Sequence, residues 1–340
     1  MLHSVFGVDC GTSNIKIYNS STKEILDEKN IIAIKNKREL FAFGDEAYDM
    51  YEKAPKNIAL SYPVKFGVIA DIKNMVALTI SFLNRSAGKK GNVNNSDFYM
   101  AVPYDITEVE KRAFYDLIKS TKLKSKKICV VDKPVADAIG VGVDVNKARG
   151  ILVANIGADT TEISVLSLGG IVLSKLIKFG GNRFEDIIIN DVKKQYNLII
   201  GIKTAENIKK ELGSATTGLN KTITVVGRHV VTGLPAECTV SSDLVYESMI
   251  ESIRTIIDSI KIILERTPPE LASDIIDTGV FITGGSSNIR NLGELITRET
   301  DLKVNICENP SQSVARGLKE IIENPEYRDL AYSPKDKSYC

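Results

Sequence analysis

The chain has 340 residues, of which 43% are hydrophobic and 26% charged, and its formal net charge is +1. That is the composition of an ordinary globular protein, long enough for two domains or one bilobal unit. The near-neutral balance argues against a nucleic-acid binder, and two histidines among five scattered cysteines give no zinc-ligand spacing. No signal peptide and no apolar run near membrane-spanning length is visible, so a reducing cytoplasm is the expected location.

Residues 3–19 read as a β-hairpin, with apolar runs either side of Gly11, Thr12, Ser13 and Asn14. Strands follow over 30–43 around a polar turn. Ile72, Met75, Val76, Thr79, Ile80 and Leu83 recur at helical spacing over 72–86. A polar loop spans 84–96, and 98–103 is a strand. Thr107 and Glu110 form a capping box that opens a helix to about residue 120. A strand at 127–131 leads to Pro134, which opens a helix over 135–143 from a first-turn position where its missing N–H costs nothing. The second half runs strand, hairpin and strand from Gly150 to about residue 179. Helices at 182–196 and 203–212, a β ribbon at 221–239 and a long helix at 242–266 come next. A strand at 279–283, the Gly284-Gly285 turn, a strand at 302–307 and a helix at 311–323 complete the pattern. The polar tail from Asn324 is expected to be mobile.

One segment occurs twice. Asp9-Cys-Gly11-Thr12-Ser13-Asn14 and Asn155-Ile-Gly157-Ala158-Asp159-Thr160 both sit between two apolar β runs. The offset between Asp9 and Asn155 is 146 residues (155 − 9). Tight turns of small residues bring backbone amides close to phosphate oxygens. Two such hairpins facing across a cleft would grip a nucleotide from both sides. The overall pattern is α/β with two mixed sheets, and ligands bind such sheets at strand ends.

These segments resemble the actin, chaperone-ATPase and sugar-kinase superfamily, and within it the bacterial actin family MreB. Residues 6–18, 62–71, 132–140, 179–184, 206–213, 268–275 and 281–292 carry the likeness in order. The resemblance implies an actin-like ATPase fold: two pseudo-symmetric RNase H-like lobes, with four subdomains around a nucleotide cleft. Subdomain IA would comprise 1–33, 66–143 and 311–340, and IB 34–65. Subdomain IIA would comprise 144–180 and 243–310, and IIB 181–242. It also implies ATP or ADP with Mg²⁺ in the cleft, and head-to-tail polymerisation into paired protofilaments for cell shape or motility. Partners would be further copies of the chain and other MreB paralogues.

In the implied site, Asp9 positions Mg²⁺ through bound water. Gly11, Thr12, Ser13 and Asn14 wrap the β-phosphate, while Gly157, Ala158 and Thr160 face the γ-phosphate. Gly180, Gly181 and Asn182 lie near the ribose, and Glu206 binds its hydroxyls. The stems of Lys209 and Lys210 pack along the adenine, and Gly284, Gly285 and Ser286 admit the α-phosphate. Three positions depart from the family pattern: Lys133 replaces a Glu that orients the attacking water, Asn155 replaces an Asp, and Asp159 replaces a Gly. An ammonium cannot accept the water's proton, and a carboxamide cannot carry its charge, so hydrolysis is expected to be weak. Lys133 is left three partners: the γ-phosphate, Asp137 one helical turn on, or Asp159 across the cleft.

The 84–96 loop lacks large apolar side chains, so apolar membrane insertion is not expected. Weak attraction of Arg85, Lys89 and Lys90 to anionic lipid is the remaining membrane contact. A metabolic kinase would need a carboxylate base beside its acceptor hydroxyl, and a chaperone ATPase a further substrate domain. Neither feature is visible in the sequence.

Overall fold

The computed structural model describes residues 4–88 and 93–333. The first hairpin is β1 (Val5–Cys10) and β2 (Asn14–Asn19), extended by β3 (Glu24–Lys29). Strands β4 (Ile32–Lys35), β5 (Glu39–Phe43) and β6 (Ile58–Ser61) make a small sheet, with the short helix α1 (Asp45–Asp49) between β5 and β6. The ribbon of β7 (Val64–Lys65) and β8 (Val68–Ile69) leads into α2 (Ile72–Ala87). Then come β9 (Ser96–Val102), α3 (Glu108–Ser120), β10 (Ser125–Asp132) and α4 (Lys133–Gly140).

The second half opens with the meander β11 (Ile151–Ile156), β12 (Thr161–Ser167) and β13 (Gly170–Ile177). Helix α5 (Gly181–Tyr196), β14 (Leu198–Ile199), α6 (Ile202–Leu212), β15 (Thr222–His229) and β16 (Pro235–Ser241) follow. The chain continues through α7 (Ser242–Arg266), α8 (Pro269–Thr278), β17 (Val280–Thr283), α9 (Leu292–Thr300) and β18 (Val304–Ile306). It ends in α10 (Ser313–Glu323) and β19 (Ala331–Tyr332).

The internal repeat is visible in the strand pairing. In the six-stranded sheet, β1 runs antiparallel to β2 and parallel to β9. In the five-stranded sheet, β11 runs antiparallel to β12 and parallel to β17. The alternating apolar residues of β1, β2 and β9 pack Phe6, Val8, Ile15, Ile17, Phe98 and Met100 against α2 and α3. A second core gathers β11, β12 and the long apolar stripe of α7. A third lies between the two sheets, where Ala136 and Ile139 of α4 meet Val314 and Leu318 of α10.

Local chemistry explains two of the helix starts. Thr107 and Glu110 exchange the two bonds of a capping box, at 3.3 and 2.8 Å. Asp71 caps α2 by accepting the Asn74 amide at 3.0 Å. Two expectations are corrected. Helix α4 runs Lys133–Gly140 rather than 135–143, with Pro134 in its first turn as expected. The tail beyond Asn324 is ordered as far as the described residues reach: β19 adds to β10, and Ala331 is fully buried.

Helices α4 and α10 cross with backbone against backbone. A Cβ added at Gly317 would lie 1.6 Å from the Ala136 carbonyl oxygen, and one at Gly140 would lie 1.7 Å from that of Ser313. Only glycine fits either position. We expect Gly317→Ala to lower unfolding stability by about 3 kcal/mol, the upper range for overpacking, as read by urea denaturation followed by circular dichroism.

Candidate functional site

A cleft of about 850 Å³ opens where the two hairpin turns face each other. The first turn is tight: a Cβ on Gly11 would sit 2.7 Å from the Asn14 carbonyl oxygen. Asn30 Nδ2 donates to the Gly11 carbonyl at 2.8 Å, and Asn14 Nδ2 to Asp27 Oδ1 at 2.8 Å. The second turn closes through the Gly157 amide to the Thr160 carbonyl at 2.8 Å. Its other carbonyls take the start of α5: Gly181 N donates to Gly157 O at 3.0 Å and Asn182 N to Ala158 O at 2.8 Å. Ser286 Oγ also donates to Gly157 O, at 3.0 Å. Gly284 holds a positive φ of 82°, with the Ile156 carbonyl 2.4 Å from where a Cβ would be. A side chain there would push the third turn off the second.

Charged groups fill the floor. Lys133 Nζ lies 3.4 Å from Asp9 Oδ1, with the two side chains 19% and 6% exposed. Burial opposes the ammonium, but Asp9, Glu162 and Asp137 together hold its pKa above the ordinary value. Asp137, the proposed helical neighbour, faces elsewhere: its Oδ2 accepts Asn155 Nδ2 at 2.8 Å and Thr283 Oγ1 at 2.5 Å. Asp159 does not reach Lys133 either. It accepts the Phe66 amide at 3.1 Å and Asn182 Nδ2 at 2.7 Å, and so joins the β7–β8 ribbon to α5. Asp9, expected to organise Mg²⁺-bound water, is therefore already paired with a cation.

At the far end of the cleft, Glu206 accepts from Tyr48 Oη and pairs with Lys29 at 3.4 Å and Lys210 at 2.7 Å. Burial would raise its pKa, but these donors bring it down to about 2. Lys209 is held by Glu185 at 2.5 Å and by the Gly181 carbonyl at 3.2 Å, so only its stem is free to meet a base. Thr12, Ser13, Ala158, Thr160, Gly285 and Lys210 also line the cleft, and Gly180 packs against the Ala158 carbonyl. The structure thus gathers the expected site residues around one cavity. Arg85, in contrast, is spent: it pairs with Glu28 at 2.5 Å and Glu46 at 3.6 Å and stacks on Phe43. Its charge is not free for a lipid surface, and Lys89 and Lys90 lie outside the described residues.

Sequence reasoning missed Lys16 and Glu162. Lys16 pairs in register with Asp9, and Glu162 with Asn155, so the repeat offset of 146 residues relates both pairs. Carrying the offset onto the outgoing strands would have found them. Lys16 is 8% exposed, lines the cleft, and makes no ion pair among the described residues. Glu162 accepts the Tyr104 amide at 2.7 Å. Burial pushes its pKa up to about 7, against the pull of that amide and of Lys133.

Twin hairpin-led sheets with a polar cleft at their strand ends define an actin-like ATPase fold. The sequence profile described as MreB/Mbl protein matches residues 3–329. The cell shape-determining protein Mbl of Bacillus subtilis is 37% identical over 320 residues, covering 94% of this chain and 95% of Mbl. Among solved structures, MreB5 of Spiroplasma citri bound to AMPPNP superposes with a TM-score of 0.90 at 31% identity, over 96% of this chain and 98% of that one. A MamK double helical filament shares the fold at 20% identity and a TM-score of 0.78, over 95% and 100%. The chain belongs to the MreB/Mbl family of actin-like cytoskeletal proteins.

Glu162 sets a pH dependence. Its folded pKa of about 7 lies above the ordinary 4.5, so between those values the unfolded chain has released a proton that the folded chain keeps. Stability therefore falls as pH rises from about 4.5 to 7 and levels off above. Glu162→Gln, which can still accept the Tyr104 amide, should remove this fall, worth about 2–3 kcal/mol. Urea midpoints across that range for both proteins check it.

Proposed function

We propose that the chain binds ATP in this cleft, turns it over slowly, and polymerises head-to-tail into paired protofilaments that serve cell shape or motility. What supports slow turnover is the pair of groups at the end of the cleft to which this reading assigns the γ-phosphate. Lys133 and Asn155 stand there as an ammonium and a carboxamide, each already engaged by an aspartate. Neither can take a proton from water. Nucleotide binding is supported by the converging turns and by the AMPPNP-bound relative, and self-association by the cytoskeletal family.

In this reading Gly11, Thr12, Ser13 and Asn14 cradle the β-phosphate, and Gly157, Ala158 and Thr160 the γ-phosphate. Gly284, Gly285 and Ser286 admit the α-phosphate. The ribose meets Gly180, Gly181, Asn182 and Glu206, exchanging its hydroxyls for the Tyr48 and Lys29 contacts of Glu206. The four-subdomain division outlined above frames these roles.

Glu162 is the carboxyl whose pKa suits a base, but it is 5% exposed and bound to the Tyr104 amide. Phosphate release measured alongside sedimentation, with ATP, AMPPNP, ADP and no nucleotide, tests the proposal. We expect pellets with ATP and with AMPPNP, and phosphate release roughly 10²–10⁴-fold below that of a relative carrying both carboxylates. Brisk release that Glu162→Gln abolishes would instead assign the base to Glu162 and overturn slow turnover.

A further inference from the structure

The acidic side chains around the two hairpin turns are Asp9, Asp27, Asp159 and Glu162, and each is engaged. Asp9 faces the Lys133 ammonium at 3.4 Å. Asp27 accepts Asn14 Nδ2 at 2.8 Å and Gln312 Nε2 at 3.2 Å. Asp159 is taken by the Phe66 amide and Asn182, and Glu162 by the Tyr104 amide. Asp137 is fully buried behind the floor and does not line the cleft. No group of three His, Cys, Asp or Glu among the described residues is placed to hold a metal ion. Mg²⁺ in a nucleotide site leans on one or two carboxylates together with the phosphates. The residues present fit it poorly.

Cations are nevertheless in place. Lys133 on α4 and Lys16 on β2 both line the cleft: Lys133 pairs with Asp9, and Lys16 is the register partner of Asp9 across the first hairpin. Lys16 stands in register between Asp9 and Asp27, and Lys133 faces Asp9, so a divalent ion would enter a floor that already holds two ammonium groups. We propose that the Lys133 and Lys16 ammonium groups hold the ATP phosphates in place of a divalent cation, so that ATP affinity does not depend on Mg²⁺. Lys133 acts twice: it screens phosphate charge, and it cancels the carboxylate that would draw a hydrated Mg²⁺ into the cleft. A buried ammonium meets phosphate at reduced dielectric, where the attraction is several times that in water. Lys16 makes no ion pair among the described residues that it would have to give up.

This inference rests on the nucleotide reading above, and the test separates the two. ATP affinity of the full chain is measured by displacement of a fluorescent ATP analogue, in EDTA and in excess Mg²⁺. The two affinities should agree within about threefold, since a tenfold change already corresponds to 1.4 kcal/mol of coupling. Lys16→Gln should weaken binding about tenfold in both buffers. Lys133→Gln frees Asp9, so its ATP affinity should fall about tenfold in EDTA and recover in Mg²⁺. Circular dichroism melts establish that each variant is folded, and the wild-type comparison decides alone if one is not. A wild-type affinity that drops about a hundredfold or more on chelation would overturn the inference and leave the nucleotide reading standing. Absence of ATP binding in either buffer would overturn both.

Discussion

Lys133 and Asp9 meet 3.4 Å apart at the junction of β1 and α4, where little water reaches either. A buried pair of this kind gains little against two apolar residues, yet losing one partner strands the other at a cost of about 3–5 kcal/mol. The remaining charges are arranged around that constraint. Asp137 turns to Asn155 and Thr283 instead of the ammonium one helical turn away. Asn155 is thereby explained: a second carboxylate at 2.8 Å from Asp137 would repel it, and the carboxamide donates. Lys133 and Asn155 are thus each tied to an aspartate of their own, Asp9 and Asp137.

A second set of bonds spans the cleft mouth. Glu206 on α6 is reached by Lys29 of β3 and Tyr48 of α1. Nearby, the Ile202 amide donates to Glu52 at 3.0 Å, and Asp159 takes the Phe66 amide from the opposite lobe. These contacts join the lobes through hydrogen bonds and ion pairs, with lysines over the Tyr48 and Phe66 rings beside them. Polar groups at a solvent-exposed mouth exchange for water or ligand at small net cost, so these contacts are easily remade.

The architecture was legible because it is written in local signals. The duplicated hairpin, the Thr107–Glu110 capping box and the apolar stripe of α7 each name their element without reference to the rest of the chain. Cleft membership was legible for the same reason, since small-residue turns mark themselves. Partnership was not. Nothing in the sequence tells Lys133 to choose Asp9, on another strand, over Asp137 on its own helix, because the choice depends on where α4 meets β1. The same holds for Asp159, whose partners Phe66 and Asn182 come from distant segments. The ordered tail was hidden because the two residues of β19 borrow their stability from the edge of β10.

The crossing of α4 and α10 has a mechanical meaning. The chain passes from the first large sheet to the second through α4 and returns through α10, so both connections run through one contact. Interlocked side chains would fix the angle between two helices as well as their separation. At this crossing Gly140 and Gly317 let backbone rest on backbone, with Ala136, Ile139, Val314 and Leu318 packed around the contact. Such a contact fixes the spacing of the two helices with almost no tolerance: it is a pin. Separation of the two halves is therefore a stiff coordinate of this fold.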